Sequence, residues 1–362
     1  MAEIISIATA VPNFKHPQKS ILHFMQESFG LDPIEKRKLA FLYAQSGISF
    51  RHSVIADFGC EKSNWKFIPN NSSHPFPTID QRMELYKQNA LPLALKAIED
   101  CVEKYINTSQ ITHLITISCT GMSAPGLDLE IVEALNLSPN LFRSSINFMG
   151  CYAAIHGLKL AQMICATEPT AQVMLVAVEL CTLHFQKEYT ADSASSSLLF
   201  GDGCAAVLVN NYPTKQSISI EGFHSHIALQ GKQDMAWQIN TKGFLMHLSS
   251  YIPKLIEADI ATILSAAKKK CVQDGTEIKY WCIHPGGKKI VDLIQQKLLL
   301  TDADTAYSRK ILEQYGNMSA PTILFVLKEI MEAPLQNGDP IFGVAFGPGL
   351  TMETFVARKR TI

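Results

Sequence analysis

Near the middle of the 362 residues lies the stretch Asn147-Phe148-Met149-Gly150-Cys151-Tyr152-Ala153-Ala154-Ile155-His156-Gly157-Leu158. A strand-like run gives way at Gly150 to an apolar helical pattern, which predicts that Cys151 stands where a helix begins. At such a position the positive end of the helix dipole favours the thiolate over the thiol, so the pattern indicates a nucleophile. The alternative is a buried apolar cysteine, because free cysteines are among the most buried residue types.

Composition limits the fold and the partners. With 47% hydrophobic and 18% charged residues the chain can fill a sizeable core, and its length predicts two domains or one large double-layered domain. Lys and Arg number 32 against 33 for Asp and Glu, a net charge of −1, which argues against nucleic acid or a membrane surface as a partner. A local basic mouth for a phosphate-bearing ligand is compatible with this balance.

The cysteines and the N-terminal residues bear on compartment and metal binding. The nine cysteines are odd in number, lack a C-x-x-C pair and lie mostly in apolar runs, so we expect neither a disulfide framework nor a metal site. The N-terminus lacks the layout of a signal peptide, and no apolar run reaches the roughly 18–20 residues of a spanning helix. We therefore expect a soluble, cytoplasmic protein without a membrane span.

Hydrophobic periodicity divides the chain into strands and helices. The first half has predicted strands at 3–12, 113–119, 172–178 and 204–210, predicted helices at 17–29, 33–46, 79–105, 127–136 and 151–166, and a loop at 57–78. The second half has predicted strands at 217–229, 235–240, 279–283, 340–346 and 350–358, and predicted helices at 250–270, 287–299 and 316–331. Pro92, inside the third helix, predicts a kink or a restart there.

The two halves correspond piece by piece. The strand into Cys119 matches the strand into His284, and the helix start at Cys151 matches the one at Asn317. A Gly-Asp-Gly turn in the first half matches a Gly-Pro-Gly turn in the second. This correspondence predicts an internal duplication of an α/β unit. The predicted halves are residues 1–213, which carry the cysteine, and residues 214–362, which carry the histidine and the asparagine.

Three polar residues at these corners form a candidate catalytic set: Cys151, His284 and Asn317. The duplication would bring the two helix starts face to face, with the strand ends beside them. A nearby imidazole helps a cysteine to become a thiolate, and an amide N–H can donate to a developing oxyanion, so the set has the parts for acyl transfer through a thioester. Taken singly, His284 has the alternative of a strand-end histidine with satisfied hydrogen bonds, and Asn317 that of a helix N-cap.

Five segments carry a resemblance to a known family. They are Gly150-Cys151-Tyr152-Ala153-Ala154, Leu199-Phe200-Gly201-Asp202-Gly203, Ile283-His284-Pro285-Gly286-Gly287, Tyr315-Gly316-Asn317-Met318-Ser319 and Phe346-Gly347-Pro348-Gly349-Leu350-Thr351. In order and spacing they resemble the signature segments of type III polyketide synthases, the chalcone synthase-like family, over nearly the whole chain. The resemblance implies a homodimer with a thiolase-like α/β fold, an αβαβα sandwich built from two duplicated halves.

The resemblance also implies the chemistry. Cys151 would take the acyl group of a starter CoA thioester, while His284 and Asn317 would hold the thioester carbonyl of malonyl-CoA as it loses CO₂. The enolate would attack acyl-Cys151 in a Claisen condensation, repeated before ring closure to a pyrone, a resorcinol or a related phenol. Acyl-CoA and malonyl-CoA are the expected substrates, and no cofactor is expected.

Further residues are expected around the substrate from the family pattern. The substrate-binding residues would be Phe200, Met246, Cys181, His184, Cys119 and Gly349. Met246 stands where plant enzymes carry a second gating phenylalanine, and His184 either narrows the cavity or adds a titratable group, with a hydrogen-bonded wall histidine as the alternative. The CoA-binding cations would be Arg51, Lys38, Arg37 and Lys36, for which a solvated helix face is the alternative.

Other functions are weighed against this one. A single-condensation enzyme of the ketoacyl synthase III type is disfavoured by the Phe-Gly-Pro-Gly-Leu segment. A thiol hydrolase is disfavoured because the cysteine lacks the Cys-Gly-Ser-Cys setting of papain-like sequences. A non-catalytic paralogue is disfavoured because the three polar residues are retained. We expect an aliphatic starter and an alkyl-pyrone or resorcinol product, since Met246 opens a path for a flexible chain while His184 opposes a broad aromatic cavity.

Overall fold

The computed structural model describes residues 2–71, 74–249, 252–271 and 277–360. The strands are β1 (Glu3–Ala10), β2 (Phe14–Pro17), β3 (Phe50–Ser53), β4 (His113–Ser118), β5 (Phe142–Asn147), β6 (Val173–Leu180), β7 (Asp202–Asn210), β8 (Ile218–Ile227), β9 (Met235–Asn240), β10 (Gly243–Leu248), β11 (Tyr280–Ile283), β12 (Pro340–Gly347) and β13 (Thr351–Lys359). The helices are α1 (Gln18–Ser28), α2 (Pro33–Ala44), α3 (Ile79–Val102), α4 (Leu127–Ala134), α5 (Ala153–Thr167), α6 (Ala191–Leu199), α7 (Ile252–Cys271), α8 (Lys288–Lys297), α9 (Asp302–Tyr315) and α10 (Pro321–Glu332).

The central strands are apolar on both faces. In β6 the side chains of Val173, Leu175 and Ala177 belong to one apolar cluster. Those of Met174 and Val176 belong to another. This two-residue alternation is the period of an extended strand, and burial of both faces requires that helices cover the sheet on both sides.

The sheet has an internal symmetry. Its nine strands run in the order β11-β12-β13-β8-β1-β7-β6-β4-β5, and the two sides meet at β8 and β1 in a short pairing of Glu3 with Ser219 and Ile4 with Ile218. Outward from this pairing, both β8-β13-β12-β11 and β1-β7-β6-β4 show two antiparallel neighbours followed by a parallel one. The repeat agrees with the expected duplication. The boundary expected after residue 213 lies in the loop between β7 and β8 and stays a prediction.

Three apolar clusters define the layers. The central cluster joins α5 and α10 to the inner faces of strands from both halves. A second cluster packs α3 on the outer face of the first half, and a third packs α7 and α8 on the outer face of the second half. The two sides of the sheet, one from each half, act as two layers with α5 and α10 between them. The layers therefore run helix, sheet, helix, sheet, helix, which confirms the expected αβαβα sandwich.

Two helices begin later than predicted, and both delays bear on the candidate site. A turn with Gly150 at φ +80° carries Cys151, and α5 begins only at Ala153. α10 begins at Pro321, a residue suited to the first helical position because it has no N–H to leave unpaired. Cys151 therefore lies in a turn and Asn317 in a β-bridge with Phe200, each ahead of a helix and not within its first turn.

Hydrophobic periodicity predicts several other elements incorrectly or not at all. α3 continues through Pro92 from Ile79 to Val102, so of the two predicted alternatives, a kink or a restart, the restart is wrong. The sequence pattern does not predict β2, β3, β10, α6 or α9. The α6 sequence, Ala-Asp-Ser-Ala-Ser-Ser-Ser-Leu-Leu, has too few large apolar side chains to show a helical stripe.

Two predicted elements extend past the described residues. The helix predicted at 250–270 includes 250 and 251, and the loop predicted at 57–78 includes 72 and 73, all outside the described ranges. The described part of that loop contains short 3₁₀ turns at Ala56–Gly59 and Lys62–Asn64. Across the described ranges, no helix has both the length and the apolar character needed to cross a membrane.

Candidate active site

A tight turn presents Cys151 at the seam between the two halves. Gly150 has φ +80°, in the left-handed region that favours glycine, and a Cβ at this position would lie 2.3 Å from Cδ of Pro348. The glycine therefore lets the Cys151 turn lie directly against the Gly-Pro-Gly turn of the second half. Cys151 is 8% exposed, so its thiol lies inside the protein.

Asn317 is joined to the first half by its backbone and to Cys151 by its side chain. Its N–H donates to the carbonyl of Leu199 at 2.9 Å. Its Oδ1 accepts from the backbone N–H of Ser319 at 2.7 Å, which leaves Nδ2 facing Sγ of Cys151 at 3.9 Å. The N-cap residue of α10 is Ala320, so the helix-cap alternative for Asn317 is wrong.

His284 adds an imidazole without partners. The residue follows β11, and its backbone N–H donates to the carbonyl of Val344 at 2.8 Å. The residue is 1% exposed, and neither ring nitrogen has a hydrogen-bond partner in the described part of the chain. A buried polar group left unsatisfied costs about 1–3 kcal/mol. The alternative of a satisfied strand-end histidine is therefore wrong, and the ring is free to meet a ligand.

These three residues line one cavity of about 540 Å³, which we call the Cys151 cavity. A larger chamber of about 950 Å³ adjoins it. The two spaces share Phe200, Met246 and Trp237 in their walls. A thioester bound at Cys151 therefore has an adjoining space into which a growing chain can extend.

Burial decides the protonation states in the Cys151 cavity. It raises the pKa of the Cys151 thiol to about 11, even though hydrogen bonds with Ser319 and Asn317 lower it. It lowers the pKa of His284 to about 3. The thiolate expected at a helix start is wrong, because α5 begins at Ala153 and the loss of hydration outweighs the dipole. The resting cavity holds a neutral thiol and a neutral imidazole.

All six residues expected around the substrate line these spaces. The Cys151 cavity takes in Cys119, Cys181, Phe200 and Met246. The larger chamber takes in Cys181, His184, Phe200, Met246 and Gly349. Their contact with a substrate stays a prediction.

His184 has both ring nitrogens occupied. Nε2 lies 2.7 Å from the carbonyl of Thr120, and Nδ1 accepts from the N–H of Phe244 at 3.1 Å. The ring stacks on Phe244 with 4.2 Å between centroids, and burial lowers its pKa to about 3. These bonds favour the wall histidine over a second titratable group, since no lone pair is left for chemistry.

Two residues near Cys151 were missed by the sequence analysis. Trp237 donates from Nε1 to the carbonyl of Cys119 at 2.7 Å and lines both spaces. The Glu179 carboxylate accepts from the Cys119 N–H at 3.0 Å and from Oγ1 of Thr120 at 2.7 Å, and burial raises its pKa to about 7. The signal for Glu179 was visible, because a lone acidic residue in an apolar strand must find buried donors.

Arg51 was expected to be one of the cations that bind CoA, but the structure places it inside the protein. This residue is 2% exposed, and it donates from Nε to Oε1 of Gln18 at 2.9 Å and from Nη1 to the carbonyl of Phe200 at 2.7 Å. Arg51 therefore holds the Phe200 backbone inside the protein and is not a cation at a surface opening. Its burial could not be seen in the sequence, since it depends on contacts 33 and 149 residues away.

The α2 cations lie on an outer face. Lys36 pairs with Glu27 at 3.3 Å, Lys38 pairs with Glu35 at 2.6 Å, and Arg37 is exposed. None of the three lines the Cys151 cavity or the larger chamber. Their role in CoA binding stays a prediction.

Comparison with known proteins shows a family likeness. Models described as chalcone and stilbene synthases match the chain, the N-terminal domain at residues 1–213 and the C-terminal domain at residues 222–361. Type III polyketide synthase A of Arabidopsis thaliana is 28% identical, over 99% of this chain and 93% of that protein. The alpha-pyrone synthesis polyketide synthase-like Pks18 of Mycobacterium tuberculosis is 27% identical, over 98% of this chain and 90% of that protein.

Solved structures agree in fold. PKS-I from the brown alga Ectocarpus siliculosus has a TM-score of 0.89 at 27% identity and covers 99% of this chain and 98% of its own. The C-terminal type III polyketide synthase domain of Steely1 from Dictyostelium has a TM-score of 0.89 at 23% identity and covers 99% of each chain. At that lower identity the likeness concerns the fold.

Proposed function

The chain belongs to the chalcone and stilbene synthase family, and from that premise we propose that Cys151, His284 and Asn317 carry the reaction of a type III polyketide synthase. Such an enzyme is an acyltransferase that extends a starter by repeated condensation with malonyl-CoA. One observation supports the assignment above others. A thiol, an imidazole with two unpartnered nitrogens and an amide N–H₂ line a single buried cavity.

Acyl transfer to Cys151 starts from neutral groups. As Sγ attacks the carbonyl carbon of the starter thioester, the thiol proton passes to the ring of His284. The carbon–sulfur bond to CoA then breaks, and the departing CoA sulfur takes up that proton, so His284 ends neutral. Burial sets the pKa of Cys151 to about 11 and that of His284 to about 3, so the proton moves with the attack and not before it.

Extension places negative charge on the thioester oxygen of malonyl-CoA. Loss of CO₂ leaves an enolate, whose oxygen accepts hydrogen bonds from the His284 ring and from Nδ2 of Asn317. The amide is already oriented by its Oδ1 bond to the Ser319 N–H, so it does not reorganise as charge develops. The enolate carbon attacks the acyl carbon on Cys151, and the bond to Sγ breaks with its electron pair on sulfur. The Cys151 thiolate then takes up a proton from solvent, and the chain leaves two carbons longer on CoA.

We propose an aliphatic starter and an alkyl-pyrone or resorcinol product. Flexible Met246 lies in the wall between the two spaces, and several aliphatic side chains border the Cys151 cavity, namely Leu198, Leu199, Leu248 and Ile252. Trp237 and His184 lie in the wall of the larger chamber, where we infer that they disfavour a broad ring system. By its name, the relative Pks18 acts in alpha-pyrone synthesis, which also supports this product class.

We propose that the enzyme is a homodimer joined along β5. This strand ends the sheet on one side, and its Phe142 is 54% exposed. The neighbouring helices α4 and α5 expose Leu129 and Met163. An edge strand beside apolar side chains is a template for pairing, and a two-fold axis lets each β5 pair with its copy.

Product formation tests the reaction. Isotopically labelled malonyl-CoA is incubated with acyl-CoA starters of increasing chain length, and the products are identified by mass spectrometry. We expect CO₂ release and pyrone or resorcinol products. A product with just one added two-carbon unit would indicate a single-condensation enzyme, and the absence of CO₂ release with every starter would contradict the proposal.

A further inference from the structure

The Cys151 cavity opens to solvent between two helices. Its lining runs from buried Cys151 to exposed residues on α2 and α8. On the α2 side lie Leu42 and Gln45, and on the α8 side lie Lys288 and Lys289. We call these four residues the rim. When the thioester group of an acyl-CoA reaches Cys151, the remainder of the CoA molecule must lie at this rim.

The rim carries positive charge on one side. Leu42 and Gln45 are uncharged, whereas Lys288 and Lys289 are the first two residues of α8. The stem of Lys288 packs against the segment that follows α2, because a Cβ on Gly47 would lie 3.3 Å from its Cδ. Within the described residues, no lysine or arginine other than these two lines the Cys151 cavity.

Both lysine side chains can reorient toward a bound anion with little loss of free energy. Lys289 makes no ion pair within the described ranges. Lys288 pairs with Asp292 at 2.6 Å, but Asp292 also pairs with Arg309 at 2.7 Å. If Lys288 moves to a new partner, Asp292 keeps a cation beside it. Exposed pairs of this kind contribute little stability, so exchange of partners is cheap.

The start of α8 adds to the positive field. Its N-cap is Gly287, which offers no side-chain cap, so the positive end of the helix dipole is not neutralised there. The same cavity contains His284, which is 1% exposed and has both ring nitrogens unpartnered. The cavity therefore combines a place for a reacting thioester at one end with a cationic helix start at the other.

On the basis of the proposed function, we propose that Lys288 and Lys289, with the N-terminus of α8, bind the phosphates of CoA. The phosphate subsite of this chain then lies on α8 and not on α2, whose Lys36, Arg37 and Lys38 line neither the Cys151 cavity nor the larger chamber. Arg51, on β3, is buried. The thioester end of the same molecule reaches His284 and Cys151.

Direct binding tests the subsite without relying on turnover. Affinity for CoA and for pantetheine, which lacks the phosphates and the nucleoside, is measured by titration calorimetry. A Lys288→Gln/Lys289→Gln variant should bind CoA about tenfold more weakly, the size expected for two exposed charge contacts, with pantetheine affinity unchanged. In the wild-type protein, the ratio of the affinity for CoA to the affinity for pantetheine should fall as the salt concentration is raised, because exposed charges are screened.

Two control variants sharpen the result. Lys297→Gln changes a lysine at the far end of α8 that pairs with Glu257, and it should leave CoA affinity unchanged. A Lys36→Gln/Lys38→Gln variant should likewise have no effect. Equal loss for CoA and pantetheine, no loss for CoA, or a selective loss in the α2 variant would each overturn the subsite. Lysine-dependent CoA binding in a protein without synthase activity would overturn the proposed function alone.

Discussion

His284 and His184 differ in their hydrogen bonds and not in their protonation state. This difference distinguishes a histidine that can contact a ligand from one that only forms part of a cavity wall. Both rings are buried, and burial lowers the pKa of each to about 3. His184 has its two nitrogens occupied by Thr120 and Phe244, whereas His284 has none occupied within the described residues. In the proposed reaction, the cost of the unsatisfied buried imidazole is recovered when His284 donates to a thioester oxygen.

The thiol of Cys151 should react slowly with small alkylating reagents at neutral pH. Its pKa is raised to about 11, so the reactive thiolate fraction grows with pH across the accessible range. We expect the rate of iodoacetamide labelling, followed by mass spectrometry of the Cys151 peptide, to rise about tenfold per pH unit from pH 7 to 9. A rate that is already constant below pH 7 would show a thiolate in the resting site.

Glu179 should make stability depend on pH. Burial raises its pKa from 4.5 to about 7 in the folded protein, so the folded state binds the proton more tightly and stability falls as pH rises through that window. Glu179→Gln removes this titration. Relative to wild type, the variant should gain about 3 kcal/mol in free energy of unfolding between pH 4 and pH 8. Urea unfolding at both pH values measures this gain, and an equal difference at each would refute the raised pKa.

The sequence reveals some of these residues and hides others. Cys151 and Asn317 could be found because each directly follows a glycine, and His284 because it ends an apolar run just before Pro285-Gly286-Gly287. Arg51 looked like a surface cation, and its burial depends on distant partners such as Phe200. The state of the Cys151 thiol was also mispredicted, because desolvation is a property of the packed cavity.

The hairpin of β9 and β10 forms a wall held by bonds to other elements. Trp237 on β9 donates to Cys119, and His247 on β10 lies 2.7 Å from the carboxylate of Asp192. Between these contacts the hairpin carries Met246 into the wall that the two spaces share. The hairpin therefore places Met246 where it borders both the Cys151 cavity and the larger chamber.

Met246 should control starter length. A Met246→Trp variant puts a rigid ring in the shared wall, and we expect kcat/KM for long acyl starters to fall by about tenfold or more relative to acetyl-CoA. Product profiles across starter lengths measure this ratio. Ile239→Ala, on the exposed part of β9, serves as the control and should leave the ratio unchanged. An equal fall for short and long starters would show that Met246 does not select by length.

At the scale of elements, strands were easier to predict than helix starts. The apolar runs of β4, β6, β7, β11, β12 and β13 were located to within about two residues, since burial on both faces leaves a continuous signal. The predicted starts of α5 and α10 lie before the observed ones, because the segments that precede these helices are also buried and largely apolar. α6 and α9 lack a strong apolar stripe and were missed.

The whole molecule brings the three candidate catalytic residues together at the seam of two similar halves. Cys151 comes from the first half, and His284 and Asn317 come from the second. Gly150 and Pro348 meet across this seam, and Phe200 forms a bridge to Asn317. The piecewise correspondence was readable in the sequence, but the face-to-face packing of α5 and α10 follows only from the central apolar cluster.

A charge on β5 should separate the proposed dimer. Phe142→Glu places a carboxylate on the exposed edge strand, where two copies would meet as like charges. We expect sedimentation equilibrium to show a dimer for wild type and a monomer for this variant. Phe14→Glu makes the same change on β2 and should remain dimeric. A Phe142→Glu protein that sediments as a dimer would place the interface elsewhere.

Decarboxylation by a Cys151→Ala variant tests the division of labour most directly. The variant is incubated with an acyl-CoA starter and with malonyl-CoA carrying a labelled carboxyl group, and adducts and released CO₂ are both measured. Cys165→Ala, a buried cysteine of α5 outside both spaces, is the control and should behave as wild type. We expect Cys151→Ala to form no acyl adduct and no polyketide, yet to release labelled CO₂ through His284 and Asn317. Normal product formation, or loss of CO₂ release in a folded variant, would contradict these roles.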